Sequence, residues 1–193
     1  MQAKTVRLPL VALLAVMALS SWTAAQTQGR PEEFTAVAIV NNNLGSGAGT
    51  VLIDVDRWSS EKERTTLVNT LLQKGPEKLL DALQDMRPVG NIRTPDSLGY
   101  DLRYAHQQAG EEGGRRIVIA TDRPIGFWEA TRGTRTLDYP FTVIQMNIGR
   151  DGKGTGTMSY ATKITAKNNT IELENFATSP VMLTEVTAKP QRD

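Results

Sequence analysis

The stretch Asn41–Trp58, NNNLGSGAGTVLIDVDRW, joins two patterns that can carry chemistry: alternating glycines at Gly45, Gly47 and Gly49, and an acidic pair, Asp54 and Asp56, closing an aliphatic run. A glycine loop grips phosphate when it follows a strand and opens a helix, because the free amides at the helix N-terminus point at the anion. Here the glycines precede a strand and no Gly-Lys-Ser/Thr follows, so a turn feeding a strand is expected. Asp54 and Asp56 fall on one face of that strand and Val51, Ile53 and Val55 on the other. The acidic face could hold a hard cation such as Ca²⁺, with Ser59, Ser60 or Glu61 nearby. The favoured account is plainer: one-sided charge marks the solvent face of a half-buried antiparallel strand.

A hydrophobic strand ending in Asp-x-Asp, Val51 to Asp56 here, resembles the haloacid-dehalogenase-like phosphatases. That resemblance implies a nucleophilic role for Asp54 and a general-acid role for Asp56. It covers only these six residues, and it implies a parallel sheet of repeated strand and helix units that the rest of the chain does not spell.

The segment TDRPIGFWEATR, Thr121–Arg132, is the best candidate for a recognition surface. It gathers Asp122, Arg123, Phe127, Trp128, Glu129 and Arg132 around Pro124 and Gly126, and paired aromatics with arginine are the composition of a binding loop. The competing account has Phe127 and Trp128 plugging the end of a core while Asp122 and Arg123 pair at the surface. His106 is the sole histidine, so a histidine-rich metal site is excluded within one chain and a serine triad would have to use it. No Gly-x-Ser-x-Gly elbow supplies a nucleophile, and a structural role for His106 is preferred. Arg150–Gly156, RDGKGTG, lacks the further acidic positions of a Ca²⁺ loop and fits a hairpin turn. Asn168-Asn169-Thr170 matches a glycosylation acceptor but is accounted for by its turn position.

The elements that must position these residues are mostly strands. Phe34–Val40, Thr50–Trp58, Leu98–His106, Arg115–Asp122, Phe141–Ile148, Gly156–Ala166, Thr170–Phe176 and Val181–Val186 all read as strands, separated by Asn, Asp and Gly turns. Period two puts Leu98, Tyr100, Leu102, Tyr104 and His106 on one face of their strand, with Asp101 and Arg103 on the other. Between the second and third strands, Ser60-Glu61-Lys62-Glu63 is a capping box. Leu67, Val68, Leu71 and Leu72 follow at helical spacing, Gly75 stops that helix, and Pro76 opens a second with Leu79, Leu80, Leu83 and Met86 as its apolar stripe. The expected fold is mainly β, a sandwich or a barrel-like antiparallel meander of about eight strands, with one inserted helical hairpin. Nothing in the spacing fixes where the hairpin sits; covering an open end of the β structure is one arrangement.

The first 25 residues carry a basic start at Lys4 and Arg7, an apolar run over Leu8–Leu19 and small residues at Thr23-Ala24-Ala25. This is the three-part pattern of a secretory signal peptide cleaved near Ala25, and the run is too short for a spanning helix. Export to the periplasm or the extracellular space is therefore expected, with residues 26–33 as a flexible lead-in, 34–188 as a single β-rich domain and 189–193 as a tail. The chain has no cysteine, which removes disulfides, thiolate catalysis and cysteine metal sites. The leader holds two of the 22 basic residues and none of the 21 acidic ones, leaving 20 against 21. Such a balance gives no electrostatic case for nucleic acid. The composite expectation is an exported, non-enzymatic domain, free of cofactors, that binds a small molecule or an envelope protein. A metal-assisted hydrolase using paired carboxylates (Asp54 with Asp56, or Glu129 with Asp122) and a structural subunit assembling through strand edges are the alternatives.

Overall fold

A computed structural model describes residues 29–42, 45–126, 138–167, 170–176 and 179–190. Ten strands form one antiparallel sheet. They are β1 (Glu32–Asn42), β2 (Gly45–Val55), β3 (Gly90–Arg93), β4 (Tyr100–Leu102), β5 (Tyr104–Ala109), β6 (Arg115–Thr121), β7 (Phe141–Ile148), β8 (Lys153–Lys167), β9 (Thr170–Asn175) and β10 (Val181–Pro190). Two helices, α1 (Glu61–Lys74) and α2 (Pro76–Gln84), interrupt the sheet between β2 and β3.

The strand order is β4-β3-β2-β1-β10-β8-β7-β6-β5, with β9 hung on the far end of β8. The two ends of this order, β4 and β5, are separated in the chain by Arg103 alone, whose N–H donates to the Ala120 carbonyl at 3.0 Å. Beside this seam, Ser59 N–H donates to Ala105 O at 2.7 Å and Ala105 N–H donates to Ser59 Oγ at 3.1 Å. The sheet therefore bends back on itself into a nearly closed barrel, and the sandwich alternative gives way. Counting β4 and β5 as one bent stave, eight staves surround the core. That is about the number at which inward side chains fill a barrel and leave no lumen. Phe34, Ile53, Ile92, Leu102, Ile117, Ile144, Met146 and Tyr160 fill it here, all buried.

At one end of the barrel β1 and β6, four staves apart, are tied across the opening. Arg115 places Nη1 2.6 Å from Glu32 Oε2 and Nη2 2.7 Å from Glu32 Oε1, with Gln107 Oε1 2.8 Å from Nη1 and the Phe34 ring beneath the guanidinium at 6.0 Å. Trp58 Nε1 donates to the Arg30 carbonyl at 3.0 Å. Glu32 and Glu33 thus belong to β1.

The strand count and the register depart from the sequence expectation in four places. Gly45, Gly47 and Gly49 do not precede β2 but open it, paired with Asn42, Val40 and Ala38. The short β3 has only Ile92 and Val89 as apolar markers near it and carries no strand signal of its own. The single strand expected over Leu98–His106 is split at Arg103: Leu102 and Ala105 are both buried in the core, so Tyr104 and His106 turn to the outer face. Lastly β10 does not extend the meander after β9; it inserts between β8 and β1 and brings the sheet round.

The helical hairpin forms as its sequence dictates. Ser60 caps α1: Glu63 N–H donates to Ser60 Oγ at 3.3 Å and Ser60 N–H donates to Glu63 Oε2 at 2.7 Å. Gly75, at φ 84°, is the joint between α1 and α2, a conformation that costs a β-carbon-bearing residue energy. The hairpin does not cover an end of the barrel. It lies on the outer wall, where Leu67, Leu71, Leu79 and Leu83 pack on Phe141, Val143 and Ile164. The first half of β7, Phe141–Ile144, is accordingly buried on both faces.

Candidate functional site

The residues singled out by sequence lie in separate places. Asp54, on the outer face of β2, stands opposite Glu33 and Asn91 in its two ladders and is 3.7 Å from Arg93 Nε. Burial pushes its carboxyl pKa up, with Arg93 opposing the shift. Asp56 is exposed just past the strand end. No group of three or more His, Asp or Glu among the described residues is placed to hold a metal ion.

Asp122 follows β6 and its side chain is only 2 % exposed, held between two guanidinium groups. Arg123 Nε donates to Oδ1 at 3.0 Å, and Arg103 Nε lies 3.3 Å from Oδ2. The second contact is an ion pair that is too far off line to be a hydrogen bond. Arg103 is in turn fixed by the Met86 carbonyl at 2.9 Å. Asp122 therefore braces the end of β6 against the kink between β4 and β5 and the segment after α2. Both of its carboxylate oxygens are thereby taken up by arginine contacts. Phe127, Trp128, Glu129 and Arg132 lie outside the described residues.

What the fold brings together is a groove of about 360 Å³ between the helical hairpin and the outer barrel wall. Leu67, Val68 and Leu71 of α1 and Leu79 and Leu83 of α2 form one side. Tyr104, Val118, Ala120, Val143 and Ile164, drawn from four strands, form the floor, and Ile171 and Leu173 of β9 form the far wall. Ile171 and Leu173 are 48 % and 37 % exposed, so this apolar surface faces open space. β9 is held in place by its pairing with β8 and by Tyr139, whose hydroxyl donates to Glu174 Oε1 at 2.7 Å and whose ring meets Phe176 edge-on.

The rim of the groove is polar. Tyr104 and His106 stack on neighbouring outward positions of β5, ring centroids 6.2 Å apart. Burial drives the Tyr104 phenol up to about 12, so it stays neutral at any physiological pH. Burial lowers the His106 pKa, while Glu61, its Oε1 3.6 Å from Nε2, opposes that shift. Arg64 of α1 answers the same Glu61 at 3.5 Å. On the opposite lip Arg116 lies against Gln145, with Nη2 2.6 Å from Oε1, and among the described residues no carboxylate lies within 4.0 Å of it.

Arg116, Gln145 and Gln108 also border a second, larger hollow of about 780 Å³ on the outer wall, where Asn147, Thr155 and Thr157 add amide and hydroxyl groups. The two hollows share these three residues, so the apolar groove is bordered by a polar shelf.

None of these residues forms a recognisable sequence motif. Tyr104 and His106 seemed to share the core face of Leu102, and only the kink at Arg103 turns them outward. The one signal that pointed here was the apolar residue left over on β9, where Ile171 and Leu173 alternate with Glu172 and Glu174 on a strand that carries no core residue.

Among the described residues no helix is long and apolar enough to cross a membrane. Compared with protein-family models, with curated proteins and with solved structures, the chain finds no match.

Proposed function

We propose that this chain is a non-enzymatic binding protein, exported from the cytoplasm, that takes up an amphipathic small molecule in the groove between the helical hairpin and the outer barrel wall. The observation that carries this is the groove's lining: aliphatic side chains from two helices and four strands, with Tyr104 from a fifth, converge on an open cleft. Its volume is at the small end of the range of about 300–1,000 Å³ typical of small-molecule sites. Among the described residues the inward side chains of the barrel are packed against one another, which leaves the outer groove as the site. Export rests on the leader pattern over Lys4–Ala25, and absence of catalysis rests on the engagement of Asp54 and Asp122 in ion pairs.

The test is uptake of a single-chain dodecyl fluorophore by the purified protein, wild type against an Ile171→Asp, Leu173→Asp double variant. Both positions are on the exposed β9 wall, so the variant keeps the barrel core. Saturable uptake by the wild type and at least about tenfold weaker uptake by the variant are expected, since about 1.4 kcal/mol of lost apolar contact is tenfold and each aliphatic side chain contributes on that scale. Absence of saturable uptake by folded wild type, or equal uptake by the variant, refutes the assignment.

A further inference from the structure

We infer that the molecule bound in this groove carries an anionic head group, and that the head is held at the junction of the groove and the polar shelf by Arg116. The inference rests on the groove being a binding site for an aliphatic chain. It adds what that chain must be attached to.

Three observations lead to it. First, the two hollows are adjacent and share Gln108, Arg116 and Gln145 on their border, so the end of a chain lying under α1 and α2 comes within reach of the shelf. Second, the charges around the groove do not balance evenly. On the helix side Arg64 and His106 are both answered by Glu61. On the strand side Arg116, among the described residues, has the neutral Gln145 amide as its partner, which orients it without neutralising it. Glu111, in the turn between β5 and β6, is the one acid bordering the shelf among the described residues. An oriented, unneutralised guanidinium at the mouth of an apolar cleft is suited to grip carboxylate or phosphate oxygens.

Third, the shelf supplies further hydrogen-bonding partners. Gln108 and Asn147 offer amide donors, and Thr155 and Thr157 offer hydroxyls. The shared chemistry is therefore an oxyanion on an aliphatic chain, whether carboxylate or phosphate monoester.

The test compares dodecanoate, dodecyl phosphate and dodecanol, each below its micellar concentration, competing with the fluorophore on wild type and on Arg116→Gln. Arg116 is exposed and outside the core, so the variant keeps its fold, which circular dichroism confirms. The anionic ligands are expected to compete at least about tenfold better than dodecanol on wild type. That advantage should disappear in Arg116→Gln while dodecanol competition is unchanged, and it should shrink as salt is raised. Whichever anion competes better identifies the source of the oxyanion. Equal competition by all three, or a preference that survives in Arg116→Gln, overturns the head-group assignment and leaves the groove standing. Failure of the wild type to bind any alkyl compound overturns both.

Discussion

Replacing Glu32 by alanine tests whether the sheet closes as described. Glu32 and Arg115 are 83 residues apart, on β1 and β6, and meet across one end of the barrel in a two-pronged pair of 2.6 and 2.7 Å. Their side chains are 16 % and 28 % exposed, between the surface pairs that contribute about 0–1 kcal/mol and the buried pairs whose disruption costs about 3–5 kcal/mol. Each charge-assisted hydrogen bond contributes about 1.5–3 kcal/mol. After Glu32→Ala, Arg115 keeps, among the described residues, Gln107 and the Phe34 ring. A loss of about 2–4 kcal/mol follows, which for a chain of this size lowers Tm by roughly 5–15 °C. The assay is chemical denaturation of wild type, Glu32→Ala, Arg115→Ala and the double variant. A coupling energy of at least about 1 kcal/mol is expected, within the range of residues in contact. Coupling below about 0.3 kcal/mol would mean that β1 and β6 do not face each other across a closed end.

Three further outcomes follow from the helical hairpin and its contacts. Ser60→Ala removes the hydroxyl half of the α1 capping box and should lower stability by about 1 kcal/mol in thermal or chemical denaturation. Leu71→Ala leaves a void between α1 and the outer wall at Phe141 and Val143 and should cost about 2–4 kcal/mol, with the alkyl-binding groove weakened at the same time. His106 has a pKa lowered by burial, so the unfolded chain takes up its proton more readily than the folded one. Stability should therefore fall as pH drops through and below about 6.5, the unperturbed histidine value. The difference between wild type and His106→Gln in denaturation midpoints across pH 5 to 8 isolates that slope, and parallel curves would contradict it.

Local rules accounted for much of the chain. The capping box at Ser60, the stop at Gly75, the proline start of α2 and the alternating faces of β2 all form where short-range chemistry places them. These features depend on backbone amides, φ angles and side-chain periods within one turn or one strand, so neighbouring residues suffice to set them. The position of Asp54 on the outer side of β2 was also legible, because Val51, Ile53 and Val55 mark the other face as the buried one.

The candidate site was not legible, and the reason is equally physical. Tyr104 and His106 change faces because Arg103 breaks the period. Arg103 in turn is held by Met86 after α2, by Asp122 after β6 and by the Ala120 carbonyl. Each of these contacts joins segments 17 or more residues apart. The choice of barrel over sandwich depends on β10 pairing with β1 and on Ser59 meeting Ala105, register facts that no local pattern carries. The sequence by itself determined most of the elements, their apolar faces outside Leu98–His106 and the helical hairpin, because those follow from local propensity and period. Only the tertiary structure decided that the sheet curls shut around a filled core. It also decided that the hairpin docks on the outer wall and that the cleft there opens beside Arg116, because each depends on which distant surfaces bury one another.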